Sequence, residues 1–287
     1  MTGHPDPRLN AYRPDLADAR LRGRVEAGRF VDGQPRTVVV PVAEIRRNPS
    51  PDSSLDTQFL AGDRLEVFEE AEGWAWVKGE RDGYVGYAPA RALAPVEQTA
   101  EGVPHRVCVP RTFLYPEPDM KRPALDTLPM GACAGIVETV AHGTMRFVRL
   151  GSGAFGFAGH FRPADEHAPD YVAVAERLLH TPYLWGGTSG FGLDCSGLVQ
   201  LAMLMAGERV VRDTYMQEAA IGTPIDRANR LARGDLVFWD GHVGIMRDGE
   251  TLLHANAGTM DVTSEPLAQA LERIGAVYGP PTAFRRP

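Results

Sequence analysis

One cysteine lies at the start of an apolar run that has the length of a buried helix. Cys195 stands within Leu193-Asp194-Cys195-Ser196-Gly197, and the run continues from Leu198 to Ala206. The first N–H groups of a helix have no partner within it, and the helix dipole is positive at that end. Such a field favours the thiolate, which is the nucleophilic form of cysteine. The pattern predicts a cysteine hydrolase with Cys195 as nucleophile and its backbone N–H as oxyanion donor.

Two later histidines can supply a general base and a group that orients it. His242 and His254 lie in strand-like segments on either side of Arg247-Asp248-Gly249. A three-residue loop at these positions would place His242 directly opposite His254. A two-residue loop, Asp248-Gly249, would put the two rings on opposite faces. Because the chemistry needs both rings together, we expect the three-residue loop, with His242 as base and His254 as the orienting residue.

Each of these residues also has a simpler interpretation. A cysteine at a helix start is more often packed than catalytic, and Asp194 and Ser196 can serve only as helix caps. Cys195, His242 and His254 could also be zinc ligands, although the sequence offers neither a closely spaced ligand pair nor an evident fourth ligand. Their occurrence together and in this order favours nucleophilic catalysis, with no cofactor and no metal.

Composition narrows the classes of partner. The 287 residues carry a net charge of −7, with 44% hydrophobic and 23% charged residues, as is ordinary for a globular protein. No basic stripe indicates nucleic-acid binding, and no apolar run indicates a membrane span. With no signal-peptide pattern, a cytoplasmic location is expected. The three cysteines are an odd number and do not predict a disulfide framework. A small cationic group, such as a free α-amine, suits this acidic chain as a guest. Oligomeric state is not indicated.

The chain before the cysteine domain is predicted to contain two small all-β barrels. Short strand-like runs with Gly and Pro punctuation follow an N-terminal extension, which has a plausible set of helical turns around Leu16 to Val25. The plan recurs once, since Leu125 to Gly131 parallels Leu55 to Gly62. Linkers are expected at Glu97 to Pro104 and at His160 to His167. The predicted divisions are an extension (1–35), a first barrel (36–97), a second, degenerate barrel (104–163) and a cysteine domain (168–287).

The cysteine domain is predicted to be α+β. Apolar residues from Tyr171 to Leu179 share one helical face, with Asp170 available as a cap, and the Cys195 helix follows and ends near Gly207. Three strand-like runs come next: 236–239, 242–246 and 251–255. Helices followed by antiparallel strands are typical of this fold class.

The ordered motifs of this domain resemble the NlpC/P60 family of papain-like cysteine peptidases. They are Pro182-Tyr183-Leu184-Trp185-Gly186-Gly187, Asp194-Cys195-Ser196-Gly197-Leu198-Val199-Gln200, Arg212-Asp213-Thr214-Tyr215-Met216-Gln217, Arg233-Gly234-Asp235-Leu236-Val237-Phe238, His242-Val243-Gly244-Ile245 and His254-Ala255. The two barrels resemble bacterial SH3 domains. The whole arrangement resembles the γ-D-glutamyl-L-diamino acid endopeptidases of murein peptide recycling. The resemblance implies hydrolysis of L-Ala-γ-D-Glu-diamino acid peptides that have a free N-terminal amine.

The resemblance also assigns roles at matching positions. Cys195 matches the nucleophile, His242 the base and His254 the third polar residue. Substrate-binding positions of the family match these residues: Asp194, Ser196, Tyr183, Trp185, Thr214, Asp63 and Tyr84. In relatives the last two close the pocket over the terminal L-Ala, where Asp63 is one methylene shorter than the usual Glu.

Two other functions stay open at this point. The same thiol chemistry would serve an amidase or acyltransferase that acts on another substrate. A non-catalytic wall-binding protein with a decayed peptidase domain is the third reading, and the intact cysteine and histidine set argues against it. The sequence does not indicate whether the diamino acid is meso-diaminopimelate or lysine.

Overall fold

The computed structural model describes residues 5–98, 101–226 and 230–287. The chain divides into two compact units, Met1–Ala164 and Asp165–Pro287. In the described part of the chain, every helix is too short or too polar to cross a membrane.

The N-terminal segment packs on the first sheet. It contains β1 (Leu16–Asp18), a 3₁₀ helix (Ala19–Leu21) and β2 (Arg29–Val31), and β1 pairs with β2 in parallel. Leu16 is fully buried against Phe68 and Trp76 of the sheet that follows. The expectation of helical turns around Leu16 to Val25 holds only for the single 3₁₀ turn at Ala19–Leu21, because Leu16–Asp18 instead pairs with β2 as a strand.

The first sheet has seven antiparallel strands. They are β3 (Gln34–Val38), β4 (Val42–Arg46), β5 (Leu55–Leu60), β6 (Arg64–Ala71), β7 (Trp74–Gly79), β8 (Val85–Pro89) and β9 (Leu93–Pro95), with 3₁₀ helices at Ala90–Ala92 and Val96–Gln98. Their order in the sheet is β5-β4-β8-β7-β6-β3-β9. Strands β4 and β8 alternate between buried and partly buried side chains, and the core of the sheet includes Phe59, Leu65 and Tyr84.

The second sheet repeats this strand order. Its strands are β10 (Val103–Val107), β11 (Arg111–Tyr115), β12 (Asp126–Pro129), β13 (Cys133–His142), β14 (Met145–Leu150), β15 (Phe155–Phe157) and β16 (Phe161–Pro163), with a 3₁₀ helix at Ala158–His160. The order is β12-β11-β15-β14-β13-β10-β16, so the strands of both sheets are arranged alike along the chain.

Two details of the sequence prediction need correction. The described pairings leave each sheet with two edge strands, so neither sheet is the closed barrel that the sequence predicted. The linker expected from His160 to His167 begins too early, because β16 lies within it and pairs with β10.

The two sheets approach each other at Gly62. The N–H of Cys133 donates to the carbonyl of Ala61 at 2.7 Å. Gly62 has φ of +82°, and a Cβ at this position would lie 2.3 Å from the Cys133 carbonyl oxygen. A residue with a side chain would therefore force the two strand ends apart.

The second unit contains helices and one main antiparallel sheet. Its elements are α1 (Tyr171–Glu176), β17 (Thr188–Ser189), β18 (Gly192–Leu193), α2 (Cys195–Met205), α3 (Thr214–Ala220), β19 (Thr223–Pro224), β20 (Leu236–Trp239), β21 (His242–Met246), β22 (Thr251–Asn256), β23 (Asp261–Pro266), α4 (Leu267–Tyr278) and β24 (Ala283–Arg286). The sheet order is β19-β24-β20-β21-β22-β23. This arrangement confirms the mixed helix and strand content expected of the cysteine domain.

Helix α2 is the central element of this unit. All of its residues, from Cys195 to Met205, are buried. A helix that is apolar all round is stable only when other elements cover it on every side. It packs against α1 and against β21 and β22. The strands that carry both histidines therefore lie directly against the helix that carries the cysteine.

Candidate active site

The first turn of α2 holds Cys195 in a fixed place. Asp194 is the N-cap residue, and its Oδ1 accepts the N–H of Gly197 at 2.7 Å. A Cβ at Gly197 would lie 2.1 Å from the carbonyl oxygen of Gly187, so only glycine lets the helix start so close to that chain. The N–H of Cys195 belongs to the helical turn whose donors have no partner inside the helix.

The thiol of Cys195 lies against the turn that precedes β21. Its Sγ is 3.9 Å from the carbonyl oxygen of Gly241 and 3.9 Å from Oγ1 of Thr214. The backbone N–H of Val243 also donates to the sulfur, which lowers the pKa of the thiol. Since Gly241 and Val243 flank His242 in the chain, the turn brings His242 close to the thiol of Cys195. Gly241 takes φ of +75° in this tight turn between β20 and β21.

The two histidines share a face, but they are not directly opposite each other. Met246 pairs with Leu252, so the register places His254 two positions away from the residue opposite His242. The expected loop Arg247-Asp248-Gly249 is therefore wrong by one position at each end. The loop is Asp248-Gly249-Glu250, because Oδ1 of Asp248 accepts the N–H groups of Glu250 and Thr251, each at 2.8 Å. A shift of two residues leaves each side chain on its own face, so the rings still meet diagonally.

A series of polar contacts begins at His242 and leads away from Cys195. His242 Nε2 lies 2.8 Å from His254 Nδ1, and His254 Nε2 lies 2.8 Å from Oε1 of Glu265. Arg273 of α4 donates to the same carboxylate oxygen. The ring of Trp239 packs 5.7 Å from the His242 ring, centroid to centroid, and helps to fix its orientation. In this arrangement His242 can accept a proton beside the Cys195 thiol, while His254 and Glu265 hydrogen-bond in series on its other side.

Burial keeps the thiol and both imidazoles neutral. Desolvation, and next the nearby Asp194 carboxylate, raise the pKa of Cys195 to about 11. Desolvation and the positive charge of Arg273 lower the pKa of His242 to about 4. Desolvation, with His242 second, lowers the pKa of His254 to about 3. The helix field expected to favour the thiolate is opposed by the burial of the sulfur and by the cap carboxylate beside it, so the thiol rests in its protonated form at neutral pH.

Asp194 lies in a buried ion-pair network. Its two carboxylate oxygens accept from Arg212 at 3.0 and 2.5 Å, and Oδ2 also accepts the N–H of Gly186 at 2.9 Å. Arg212 is 1% exposed, and its NH1 also donates to Oγ of Ser196 at 2.7 Å. The negative charge of Asp194 is therefore compensated within the protein. Asp194 and Ser196 fix the start of α2.

The zinc alternative finds no support in the geometry. Within the described ranges, no three His, Cys, Asp or Glu side chains are placed so that they could hold a metal ion.

Comparison with known proteins decides the family. A model described as "Bacterial dipeptidyl-peptidase Sh3 domain" matches residues 45–93, and the model of the NlpC/P60 family matches residues 180–272. The chain is an NlpC/P60 family protein. In the described structure, its NlpC/P60 domain contains the Cys195, His242 and His254 arrangement, and an SH3 domain precedes it. The protein is a cysteine endopeptidase.

Relatives match over most of the length of this NlpC/P60 protein. Dipeptidyl-peptidase 6 of Lysinibacillus sphaericus is 28% identical over 271 residues, which are 84% of this chain and 98% of that protein. Gamma-D-glutamyl-L-lysine dipeptidyl-peptidase of Bacillus subtilis is 28% identical over 227 residues, which are 71% of this chain and 73% of that protein. The crystal structure of an NlpC/P60 family protein from Bacillus cereus superposes with a TM-score of 0.73 at 20% identity, and covers 88% of this chain and 99% of that one.

The other residues that the sequence singled out lie in two places. In the NlpC/P60 domain, Thr214 contacts the thiol of Cys195. Desolvation, and next the nearby Cys195 and Asp194, raise the pKa of Tyr183. Trp185 is 67% exposed.

Asp63 and Tyr84 lie in the first unit. Asp63 accepts from the N–H of Leu60 and from Arg81, each at 2.9 Å, and Tyr84 is 2% exposed in the core of the first sheet. Their roles toward a substrate stay predictions.

Sequence reasoning missed two polar groups of the NlpC/P60 domain. Glu265 was not singled out, since a lone Glu in a strand that ends at Pro266 carries no signal of its own. Arg212 was quoted within a motif but given no role. Its burial follows from its pairing with Asp194, which cannot be read from two residues 18 positions apart in the sequence.

Proposed function

We propose that this cysteine endopeptidase hydrolyses the bond between γ-D-Glu and the diamino acid in cell-wall peptides that carry a free N-terminal L-Ala. The observation that carries the chemistry is the placement of the Cys195 thiol at the start of a buried helix and against the turn that holds His242. Relatives named gamma-D-glutamyl-L-lysine dipeptidyl-peptidase support the choice of bond.

The proposed reaction follows from these positions. His242 Nδ1 takes the thiol proton as Sγ of Cys195 attacks the γ-carbonyl carbon of D-Glu, and the backbone N–H of Cys195 stabilises the oxyanion. The imidazolium of His242 then returns the proton to the departing amine of the diamino acid, which leaves a thioester on Cys195. Water attacks the thioester, His242 again takes a proton, and the thiol re-forms as the dipeptide acid leaves. His254 orients His242 through both steps.

We propose further that the enzyme recognises the free N-terminal amine of the peptide. A dipeptidyl-peptidase releases two residues at a time, so it must recognise the end of the peptide. Two of the relatives are named gamma-D-glutamyl-L-lysine dipeptidyl-peptidase, which supports this part of the proposal. Within the NlpC/P60 domain, we propose Tyr183, Trp185, Thr214, Asp194 and Ser196 as substrate-binding residues. An enzyme that needs a free amine would act on peptides already released from the glycan, which places it in murein peptide recycling. A cytoplasmic location stays a prediction.

We also infer that the second sheet is a diverged second SH3-like domain. The support is the strand order that it shares with the first sheet. The domain divisions that we propose remain 1–35, 36–97, 104–163 and 168–287.

A paired digestion of the full chain tests the function. The substrates are L-Ala-γ-D-Glu-meso-diaminopimelate and the same peptide N-acetylated, each also made with L-lysine, and Cys195→Ala is the control. We expect release of L-Ala-γ-D-Glu, with a preference of about 100-fold or more for the free amine. Equal cleavage of both forms would contradict the reading of the terminus.

Cleavage of neither peptide would favour the amidase or acyltransferase alternative. Product analysis with added amine acceptors would then identify acyl transfer. An unreactive Cys195 in the same samples would instead favour the non-catalytic alternative.

A further inference from the structure

Glu265 ends the series of contacts that begins at His242. It lies on β23, opposite Leu252 of β22, and so on the same face of the sheet as His254. The His254 side chain is fully buried, and that of Glu265 is 18% exposed. A carboxylate that reaches a buried imidazole from the next strand has one evident physical effect, which is to decide where the imidazole carries its proton.

The hydrogen-bonding capacity of each group fixes the arrangement of protons. An ionised carboxylate only accepts, so the proton between Glu265 and His254 belongs to Nε2 of His254. A neutral His254 then has a lone pair on Nδ1, which accepts the N–H of His242 Nε2. His242 consequently has its own lone pair on Nδ1, the nitrogen that remains to take the proton of the thiol.

Arg273 holds the carboxylate in its place. It donates to the same Oε1 that accepts from His254, and its side chain is 45% exposed. A guanidinium only donates, so the carboxylate of Glu265 is the acceptor in this contact as well. The positive charge of Arg273 also disfavours the protonated form of both histidines. Without Glu265, the proton of His254 could move from Nε2 to Nδ1. Nδ1–H of His254 would then face Nε2–H of His242, and this contact would no longer fix the proton of His242 on Nε2.

We propose that Glu265 is a positioning residue of the catalytic centre, which sets the tautomers of His254 and His242 so that Nδ1 of His242 is the base. This rests on the proposed roles of Cys195 and His242. Glu265 acts through His254, to which its carboxylate is hydrogen-bonded. It extends the Cys195, His242 and His254 set by a fourth member, and Arg273 supports that member.

Nuclear magnetic resonance tests the tautomers without a substrate. Long-range ¹H–¹⁵N correlations of the full chain, labelled with ¹⁵N-histidine and assigned with His242→Gln and His254→Gln, report which ring nitrogen carries the proton. We expect Nε2–H for both residues in the unaltered protein. In Glu265→Leu, which cannot accept a hydrogen bond, we expect loss of the single Nε2–H form of His254. A His254 with its proton on Nδ1 in the unaltered protein would overturn the proposal.

Kinetics test the consequence for the reaction. Glu265→Leu should lower kcat on the free tripeptide by about 10- to 100-fold with little change in KM. Glu265→Gln keeps the shape and one acceptor oxygen, so it should recover most of that loss and the Nε2–H form of His254. Glu272→Gln, on an exposed position of α4, is the matched control and should behave as the unaltered protein.

The remaining outcomes are distinct. An unchanged kcat in Glu265→Leu would overturn the proposal, as would a loss of activity that comes with a lower melting temperature but unaltered tautomers. If the unaltered protein cleaves no peptide, the proposed function fails, and the tautomer measurement still decides the role of Glu265.

Discussion

The pH dependence of Cys195 reactivity distinguishes a neutral thiol from a thiolate that is already formed at neutral pH. Burial raises the pKa of Cys195 to about 11 and lowers that of His242 to about 4, so both groups are neutral at pH 7. The fraction of thiolate then rises with pH throughout the neutral range. We expect the rate of Cys195 alkylation by iodoacetamide to increase about tenfold per pH unit between about pH 6 and pH 9. Mass spectrometry of the modified peptide measures it.

A rate of alkylation that does not change with pH would instead indicate a resting ion pair of thiolate and imidazolium. A thiolate stabilised by an imidazolium would already be formed near pH 5, and alkylation would then be constant over the same range. Such a plateau would contradict the neutral pair. Cys195→Ser measures the alkylation of Cys108 and Cys133, which must be subtracted.

The buried Arg212–Asp194 ion pair is expected to contribute to the stability of the folded protein. Both side chains are buried, and removal of one partner leaves the other charge uncompensated. Arg212→Met should lower the free energy of unfolding by about 3–5 kcal/mol, measured by urea titration of the full chain. The control is Arg209→Met, since Arg209 is exposed. Equal stability of the two variants would show that Asp194 does not need its partner.

At the scale of elements, the start of α2 depends on one glycine. A Cβ at Gly197 would meet the Gly187 carbonyl oxygen at 2.1 Å, so the helix or the Gly187 chain must move. Gly197→Ala should destabilise the protein by about 1–3 kcal/mol and reduce activity, because the displaced turn carries Cys195. Thermal unfolding and peptide cleavage measure the two effects.

A second glycine provides a matched control for helix propensity. Gly275 lies inside α4, and a Cβ built there would meet no atom within 4 Å apart from its chain neighbours and the backbone of its own helix. Gly275→Ala should leave activity unchanged and stabilise the protein by up to about 1 kcal/mol. If Gly197→Ala behaved in the same way, the close approach to Gly187 would be refuted as the reason for glycine.

The β21–β22 hairpin shows what the sequence can determine about an element. The period of two in a strand places His242 and His254 on one face only for an odd loop length, and the three-residue length that we chose because the chemistry needs both rings together is confirmed. The register is not set by that period, since a shift of two residues preserves it. The side chain of Asp248 sets the register by accepting two backbone N–H groups of the loop, and the sequence pattern does not reveal which of two neighbouring loops it will cap.

At the scale of the whole molecule, local patterns predicted the elements that carry a strong signal. Helices α1 and α2, and strands β20, β21 and β22, follow from apolar periodicity and caps. Helix α4, with only two buried residues, has a weaker pattern and was missed. Glu265 reaches His254 through the pairing of β22 with β23, so its role depends on tertiary structure that no local pattern specifies.

The N-terminal segment is also held by tertiary contacts that no local sequence pattern predicts. The guanidinium of Arg13 lies 4.4 Å from the Trp76 ring centroid, donates to Tyr87 at 2.9 Å, and pairs with Glu69. The segment is thus part of the fold of the first sheet. Arg13→Ala should destabilise that sheet by about 1–2 kcal/mol, because a cation–π contact and a partly exposed ion pair are lost together.

Hydrogen–deuterium exchange locates this effect within the molecule. Faster exchange is expected for the amides of β6 and β7, which carry Glu69 and Trp76, and unchanged exchange for α2 in the other compact unit. Arg24→Ala, at an exposed position of the same segment, is the control. If Arg13→Ala left β6 and β7 protected as before, the segment would be an appendage and the first sheet would be stable without it. An effect of that variant confined to β6 and β7 would instead make residues 5–31 a structural part of the SH3 unit.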